Sequence, residues 1–214
     1  PCRWWDYPIL DSLGVNMSHG TLVMMHGMTG TAAKMQPLAE SLAPEGWGVL
    51  CPQAEIEHPT KGGYAWWLRA DDTISHVLDS SSQSDVDDSL IRVTQELPDG
   101  PIIVGGFSQG GAMASALLET DVQDRIVGLV LIATKTIRPE SLEASLPFLK
   151  PRPVVWMHGK GDHLVPIDYG YEHAEIFEAA DWPVIRLEHE KGHMVNLKQF
   201  DELKSTIQEM ANSI

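Results

Sequence analysis

Six short apolar runs recur along the chain: Thr21-Leu22-Val23-Met24-Met25, Gly48-Val49-Leu50-Cys51, Ile102-Ile103-Val104-Gly105, Val127-Gly128-Leu129-Val130-Leu131-Ile132, Val154-Val155-Trp156-Met157 and Val184-Ile185-Arg186-Leu187. A short run that is apolar at nearly every position reads as a strand buried on both faces, and strands of that kind alternate with helices in parallel sheets. The expectation is an α/β fold, a mostly parallel central sheet with helices on both faces, in one domain spanning residues 1–214. Helical periodicity falls at about 32–44, 86–97, 109–120, 168–180 and 197–212, the last with Leu197, Phe200, Leu203, Ile207 and Met210 on one face. Two segments interrupt the alternation: 53–79, with Tyr64, Trp66 and Trp67, and 134–150, with Pro139, Leu146, Pro147 and Phe148. Both read as substrate-covering loops. The polar tract Asp79-Ser80-Ser81-Ser82-Gln83-Ser84-Asp85 reads as a loop ending in a helix N-cap.

The run 102–105 leads into Gly106-Phe107-Ser108-Gln109-Gly110 and then into the apolar helix pattern Gly111-Ala112-Met113-Ala114-Ser115-Ala116-Leu117-Leu118. A serine on a sharp strand-to-helix turn needs neighbours without Cβ atoms, because the helix passes close to the strand, and Gly106 and Gly110 supply that space. The N–H groups opening the helix face whatever binds above the serine, where negative charge is favoured. Ser108 as an ordinary helix cap is the bland alternative; the flanking glycines and the preceding strand favour a nucleophile.

A hydroxyl nucleophile needs a base, and the base needs a group that fixes its tautomer. In open α/β sheets such residues collect in the loops at the carboxyl ends of the strands. Asp162 lies in His158-Gly159-Lys160-Gly161-Asp162-His163 after the fifth apolar run, and His193 lies in Glu190-Lys191-Gly192-His193-Met194 after the sixth. The order Ser108, Asp162, His193 is that of the α/β-hydrolases. His26-Gly27-Met28-Thr29-Gly30 follows the first run, so the backbone N–H groups of Met28 and Gln109 are the candidate oxyanion donors, with the backbone geometry mattering more than either side chain. Asp168 reads as a residue opening a helix and His26 as a support for the oxyanion loop. His189 and His193 have the spacing of zinc ligands on a helix, but Gly192 and the adjoining strand argue against a helix there. His158, Asp162 and His163 likewise lack a complete ligand set, so neither a metal nor another cofactor is expected.

Composition narrows the class further. Hydrophobic residues make up 43% and charged residues 21% of 214 residues, the profile of a globular domain large enough to bury its own core. A formal net charge of −15 repels nucleic acid and anionic membrane surfaces. No run approaches the ~18 apolar residues of a membrane span, and the stretch from Pro1 to Asp6 lacks the layout of a signal peptide. The two cysteines, Cys2 and Cys51, do not form a disulfide framework, and a cytoplasmic, reducing location is the simpler expectation.

Met25-His26-Gly27-Met28, Gly105-Gly106-Phe107-Ser108-Gln109-Gly110-Gly111-Ala112-Met113, the run from His158 to Pro166, and Gly192-His193 together resemble the phospholipase/carboxylesterase family of α/β-hydrolases, which includes acyl-protein thioesterases and small bacterial carboxylesterases. Gly63-Tyr64-Ala65-Trp66-Trp67 is similar to that family's aromatic substrate-side loop. The resemblance implies the α/β-hydrolase fold, catalytic roles for Ser108, Asp162 and His193, oxyanion donors at Met28 and Gln109, and a small-molecule ester or thioester substrate, with Trp66 and Trp67 lining an acyl pocket. Where the family often has a further glycine and an acidic residue after His-Gly, this chain has Met28-Thr29-Gly30-Thr31, and the loop from Cys51 to His58 is unusually acidic. Two other functions fit the same residues: an off-loading thioesterase acting on carrier-bound acyl chains, and a hydrolase fold reused as a ligand receptor. The acidic composition disfavours the first and the complete Ser, His and Asp set disfavours the second.

Overall fold

The computed structural model describes residues 19–69 and 78–213. The amino-terminal stretch containing Cys2, and the 70–77 part of the 53–79 segment, lie outside these residues. Six parallel strands, β1 (Thr21–Met25), β2 (Gly48–Leu50), β5 (Ile102–Phe107), β6 (Ile126–Ile132), β7 (Val154–Gly159) and β8 (Val184–His189), form one sheet in the order β2-β1-β5-β6-β7-β8. The strand pair β3 (Ile56–Glu57) and β4 (Tyr64–Ala65) stands apart as a small antiparallel ribbon.

Period-two geometry explains why the runs are apolar throughout. Val23 and Met25, Ile102 and Val104, Leu129 and Leu131, and Val154 and Trp156 face one apolar layer. Their neighbours Leu22 and Met24, Ile103, Val130 and Ile132, and Val155 and Met157 face the other. The first layer is closed by α2 (Ser80–Glu96), α3 (Gln109–Ala116), α4 (Pro139–Ser145) and α5 (Ile167–Ala179), through residues such as Val86, Met113, Leu142 and Phe177. The second is closed by α1 (Ala32–Leu42) and α6 (Phe200–Asn212), through Met35, Leu42, Leu203 and Ile207.

Several expected boundaries shift. The helix expected from 86 begins at Ser80, capped by the Asp79 carboxylate on the Ser82 N–H at 2.8 Å. Its first turns look like a loop in sequence because Ser82 and Asp85 bind the backbone of Leu68 rather than pack as apolar residues. The segment 134–150 is not a loop: it holds α4 and the short 3₁₀ turn Leu146–Phe148, and Ile137, Leu142 and Leu146 are core residues. Only Phe148, 88% exposed, keeps the character of a covering residue. The last helix begins at Phe200 after a 3₁₀ turn, which leaves Leu197 exposed instead of in the apolar stripe. The helix expected to reach 120 ends at Ala116 and passes into a 3₁₀ turn.

The chain winds from β1 outward to β2 and then returns to β5 on the other side of β1. That reversal opens a crevice at the carboxyl ends of β1 and β5, the usual ligand position in such sheets. There α3 lies against both strands. A Cβ built on Gly110 would stand 2.0 Å from the Met25 carbonyl oxygen, and one on Gly106 would stand 2.4 Å from the Gly110 carbonyl carbon. Gly110→Ala sets a side chain against backbone, which cannot move aside, and is expected to destabilise the fold by about 3 kcal/mol, the upper end for overpacking. Urea unfolding of the variant beside the parent protein measures this.

Candidate active site

Ser108 ends β5 and opens α3 with φ 55° and ψ −120°, a left-handed φ that a side chain rarely adopts. The surrounding contacts hold it there. Its N–H donates to the Ile132 carbonyl at 2.9 Å, and its carbonyl accepts from the Gly111 N–H, the Ala112 N–H and the Thr134 hydroxyl, the last at 2.7 Å. These bonds fix the backbone of Ser108 at the carboxyl end of β5, beside the switch point.

Across the crevice, the turn after β1 comes within touching distance of this serine, since a Cβ on Gly27 would be 3.2 Å from the Ser108 Cβ. His26 braces that turn. Its Nδ1–H donates to the Gly27 carbonyl at 2.8 Å and its Nε2 accepts the Ala54 N–H at 3.2 Å. Burial holds this imidazole below its ordinary pKa, and the acceptor role of Nε2 requires the neutral ring. Thr29 occupies a left-handed φ of 66°, held by its N–H to the Tyr64 carbonyl at 2.8 Å, while the Tyr64 N–H returns to Gly30 at 3.0 Å. Among the described residues, the N–H groups of Met28 and Gln109 donate to no protein acceptor.

Trp66 and Trp67 are buried, at 2% and 5% exposure, and Trp66 donates its indole N–H to the His26 carbonyl at 2.7 Å. Trp66 therefore supports the turn from beneath. The backbone of 66–68 lies outside any sheet, and side chains bind both polar groups of Trp66 and Leu68 and the carbonyl of Trp67. Gln109 Oε1 takes the Trp66 N–H at 3.1 Å and Gln109 Nε2 donates to Trp67 at 3.0 Å. Ser89, Ser82 and Asp85 of α2 bind the Trp66 carbonyl, the Leu68 carbonyl and the Leu68 N–H. The expectation that the Gln109 side chain matters little is thus corrected: it ties the residue after Ser108 to the segment under the opposite turn. A Gln in a G-x-S-x-G motif carries no sequence signal for this role, because both partners are backbone groups more than forty positions away.

Asp162, in the loop after β7, has a fully buried carboxylate with every oxygen engaged. Oδ1 accepts the N–H groups of Leu164 and Val165 at 2.9 and 2.8 Å, and Oδ2 accepts His193 Nδ1–H at 2.7 Å. The imidazole of His193 lies 4.7 Å from the ring of Phe107, the residue before Ser108. The hydrogen bonds of the described residues do not include one between Ser108 and His193. The two loops are joined by Lys160 N–H to His189, Gly161 N–H to Lys191, and the Lys160 ammonium at 2.8 Å from both Glu188 and Glu190.

The remaining candidates fall elsewhere. Asp168 lies in the first turn of α5, and His163 is exposed. His189 ends β8 with Nδ1 accepting the Lys191 N–H, so His189 and His193 do not share a helix. Cys51 is a free thiol that burial, with the Glu40 carboxylate, pushes up to about 11, so it remains protonated at neutral pH and offers no competing nucleophile.

The solved structure of esterase PE8 superposes with a TM-score of 0.75 at 19% identity, covering 90% of this chain and 93% of that one. Arabidopsis thaliana SOBER1 gives 0.70 at 19% identity over 89% of this chain and 98% of that one. Zea mays acyl-protein thioesterase 2 gives 0.71 at 20% identity over 90% and 94%. These likenesses establish the fold, that of the α/β-hydrolase esterases. Residues 14–211 match the family described as Phospholipase/Carboxylesterase, and the chain belongs to that family. A Cryptococcus neoformans protein named acyl-protein thioesterase 1 is 33% identical over 86 residues, 39% of this chain; the match spans only 36% of that relative's length.

Two outcomes are expected of these supports. Gln109→Leu leaves the Trp66 N–H and the Trp67 carbonyl buried without partners and should cost about 1–3 kcal/mol for each group, read as a lower urea midpoint at unchanged slope. His173 on α5 is wholly buried, and desolvation, with His158 nearby, lowers its pKa to about 3. Between that value and the ordinary 6.5 the unfolded chain binds a proton that the folded chain refuses, so stability falls as pH falls through this window. His173→Phe should remove up to about 1.4 kcal/mol per pH unit of that slope, measured by urea unfolding at pH 7 and pH 5.

Proposed function

We propose that this chain is a serine hydrolase that cleaves carboxylic esters or acyl thioesters through an acyl-enzyme. Ser108 is the nucleophile, His193 the base, Asp162 its orienting carboxylate, and the Met28 and Gln109 N–H groups the oxyanion donors. The observation that carries the reading is the 2.7 Å hydrogen bond between the buried Asp162 carboxylate and His193 Nδ1, beside a serine held at φ 55°.

Because Nδ1–H is committed to Asp162, Nε2 holds the lone pair that takes the Ser108 proton as Oγ attacks the carbonyl carbon. The carbonyl π electrons move to oxygen, and in this reading the Met28 and Gln109 N–H groups receive that charge. Collapse of the tetrahedral adduct expels an alkoxide or thiolate, which takes the proton back from Nε2 and leaves as alcohol or thiol. Water then attacks the acyl-enzyme, gives its proton to Nε2, and the acid departs as Ser108 regains the proton. Asp162 stays ionised throughout and stabilises the imidazolium. The names of the Cryptococcus and maize relatives keep thioesters beside esters as substrates.

Ser108→Ala should lower kcat on p-nitrophenyl esters by about 10⁴ with the fold intact, and should abolish labelling by a fluorophosphonate probe. A variant that keeps most of its hydrolysis overturns the assignment. Parallel assays on acyl-CoA thioesters and on esters of increasing chain length separate the two substrate classes.

A further inference from the structure

A second histidine lies behind the Asp162–His193 pair and is unused by the chemistry above. His158, near the end of β7, is wholly buried, with its ring stacked on Trp156 at 5.4 Å between centroids. Its Nε2 is 2.8 Å from the Val165 carbonyl oxygen and 3.4 Å from Asp162 Oδ2. A carbonyl oxygen can only accept, so Nε2 carries the proton and donates it to Val165.

Val165 is consequently fixed from both sides. Its N–H goes to Asp162 Oδ1 and its carbonyl receives the His158 N–H. The turn 162–165 supplies two of the donors that set the plane of the Asp162 carboxylate, and that plane decides where Oδ2 points. The same Oδ2 that accepts from His193 has His158 Nε2 as its second neighbour, so this oxygen is defined from two directions. The titratable groups facing His158 are Asp162, His193, His189 and, on α5, His173. Burial dominates among them and holds the ring below its ordinary pKa, so His158 does not become a cation competing with His193 for the carboxylate.

We infer that His158 is a positioning residue: by closing the 162–165 turn it fixes the Asp162 carboxylate toward His193, and its effect on turnover passes through that pair. This role rests on the acyl-transfer reading given above. A histidine that merely filled the core would be replaceable by any apolar side chain of its size.

The test compares His158→Met, which removes the donor, with His158→Gln, whose amide nitrogen can stand where Nε2 stands. Gly170→Ala adds a perturbation from outside the site, since its Cβ would be 2.6 Å from His158 Nδ1. Each is followed by thermal unfolding, by kcat and KM on a p-nitrophenyl ester, and by the low-field proton NMR signal of His193 Nδ1–H, assigned through its absence in His193→Gln. His158→Met should stay folded, lose about tenfold to a hundredfold in kcat with KM within about twofold, and lose the low-field signal. His158→Gln should recover most of both, and Gly170→Ala should fall between. A folded His158→Met with kcat within about twofold of the parent and the signal in place overturns the inference. If His158→Met does not fold, Gly170→Ala with an undisturbed signal overturns it equally. The NMR readout needs no substrate, so a failure of the acyl-transfer reading would appear separately, as full activity in Ser108→Ala.

Discussion

The structure depends on how closely one helix can approach two strands. Gly106 and Gly110 let the start of α3 rest against β1 and β5 at distances that leave no room for a Cβ. The chain must therefore leave β5 in a sharp turn, and Ser108 takes the strained left-handed φ at its apex. The same approach brings the turn after β1 against Ser108, so candidate nucleophile and candidate oxyanion donors share one cause. A strained residue persists only where its surroundings over-determine it, and here Ile132, Thr134 and the first turn of α3 all bind its backbone.

Around that point, irregular backbone is held by side chains. The segment 66–68 belongs to no sheet, yet Gln109, Ser89, Ser82 and Asp85 satisfy its polar groups. Trp66 and His26 carry the constraint onward to the turn that contains Met28. Under the proposed acyl-transfer reading, a turn fixed in this way would not have to reorganise when charge develops on a carbonyl, which is the physical basis of preorganised stabilisation. The histidines beside it follow the same logic. Burial is the chief cause that lowers the pKa of His26, His158 and His189, so each serves as a fixed donor or acceptor.

Membership of the phospholipase/carboxylesterase family accounts for the shared frame, and the departures from it have physical readings. In the stretch Met28-Thr29-Gly30-Thr31, Thr29 stands at a left-handed φ, and the pairing of that turn with Tyr64 holds it. The acidic loop after β2 is in part committed to structure. Glu55 pairs with Arg92 of α2, and Gln53 accepts the Ala32 N–H at 2.9 Å.

By itself the sequence determined the sheet, because strands buried on both faces must be apolar throughout and such runs are visible without partners. It also determined the elbow at Ser108 and the loops that carry Asp162 and His193, since close backbone approach demands glycine and chain order follows the order of strands. Only the tertiary structure decided what holds these residues in place. The polar residues of α2 read as a loop because their partners are the backbone of 66–68, and α4 was hidden because Leu142 and Leu146 pack in a core whose other side comes from distant elements. Gln109 and His158 belong to the same class. A side chain that bonds to remote backbone leaves no period and no motif, because its partner is a carbonyl or N–H that every residue possesses, and its role exists only once the chain has folded.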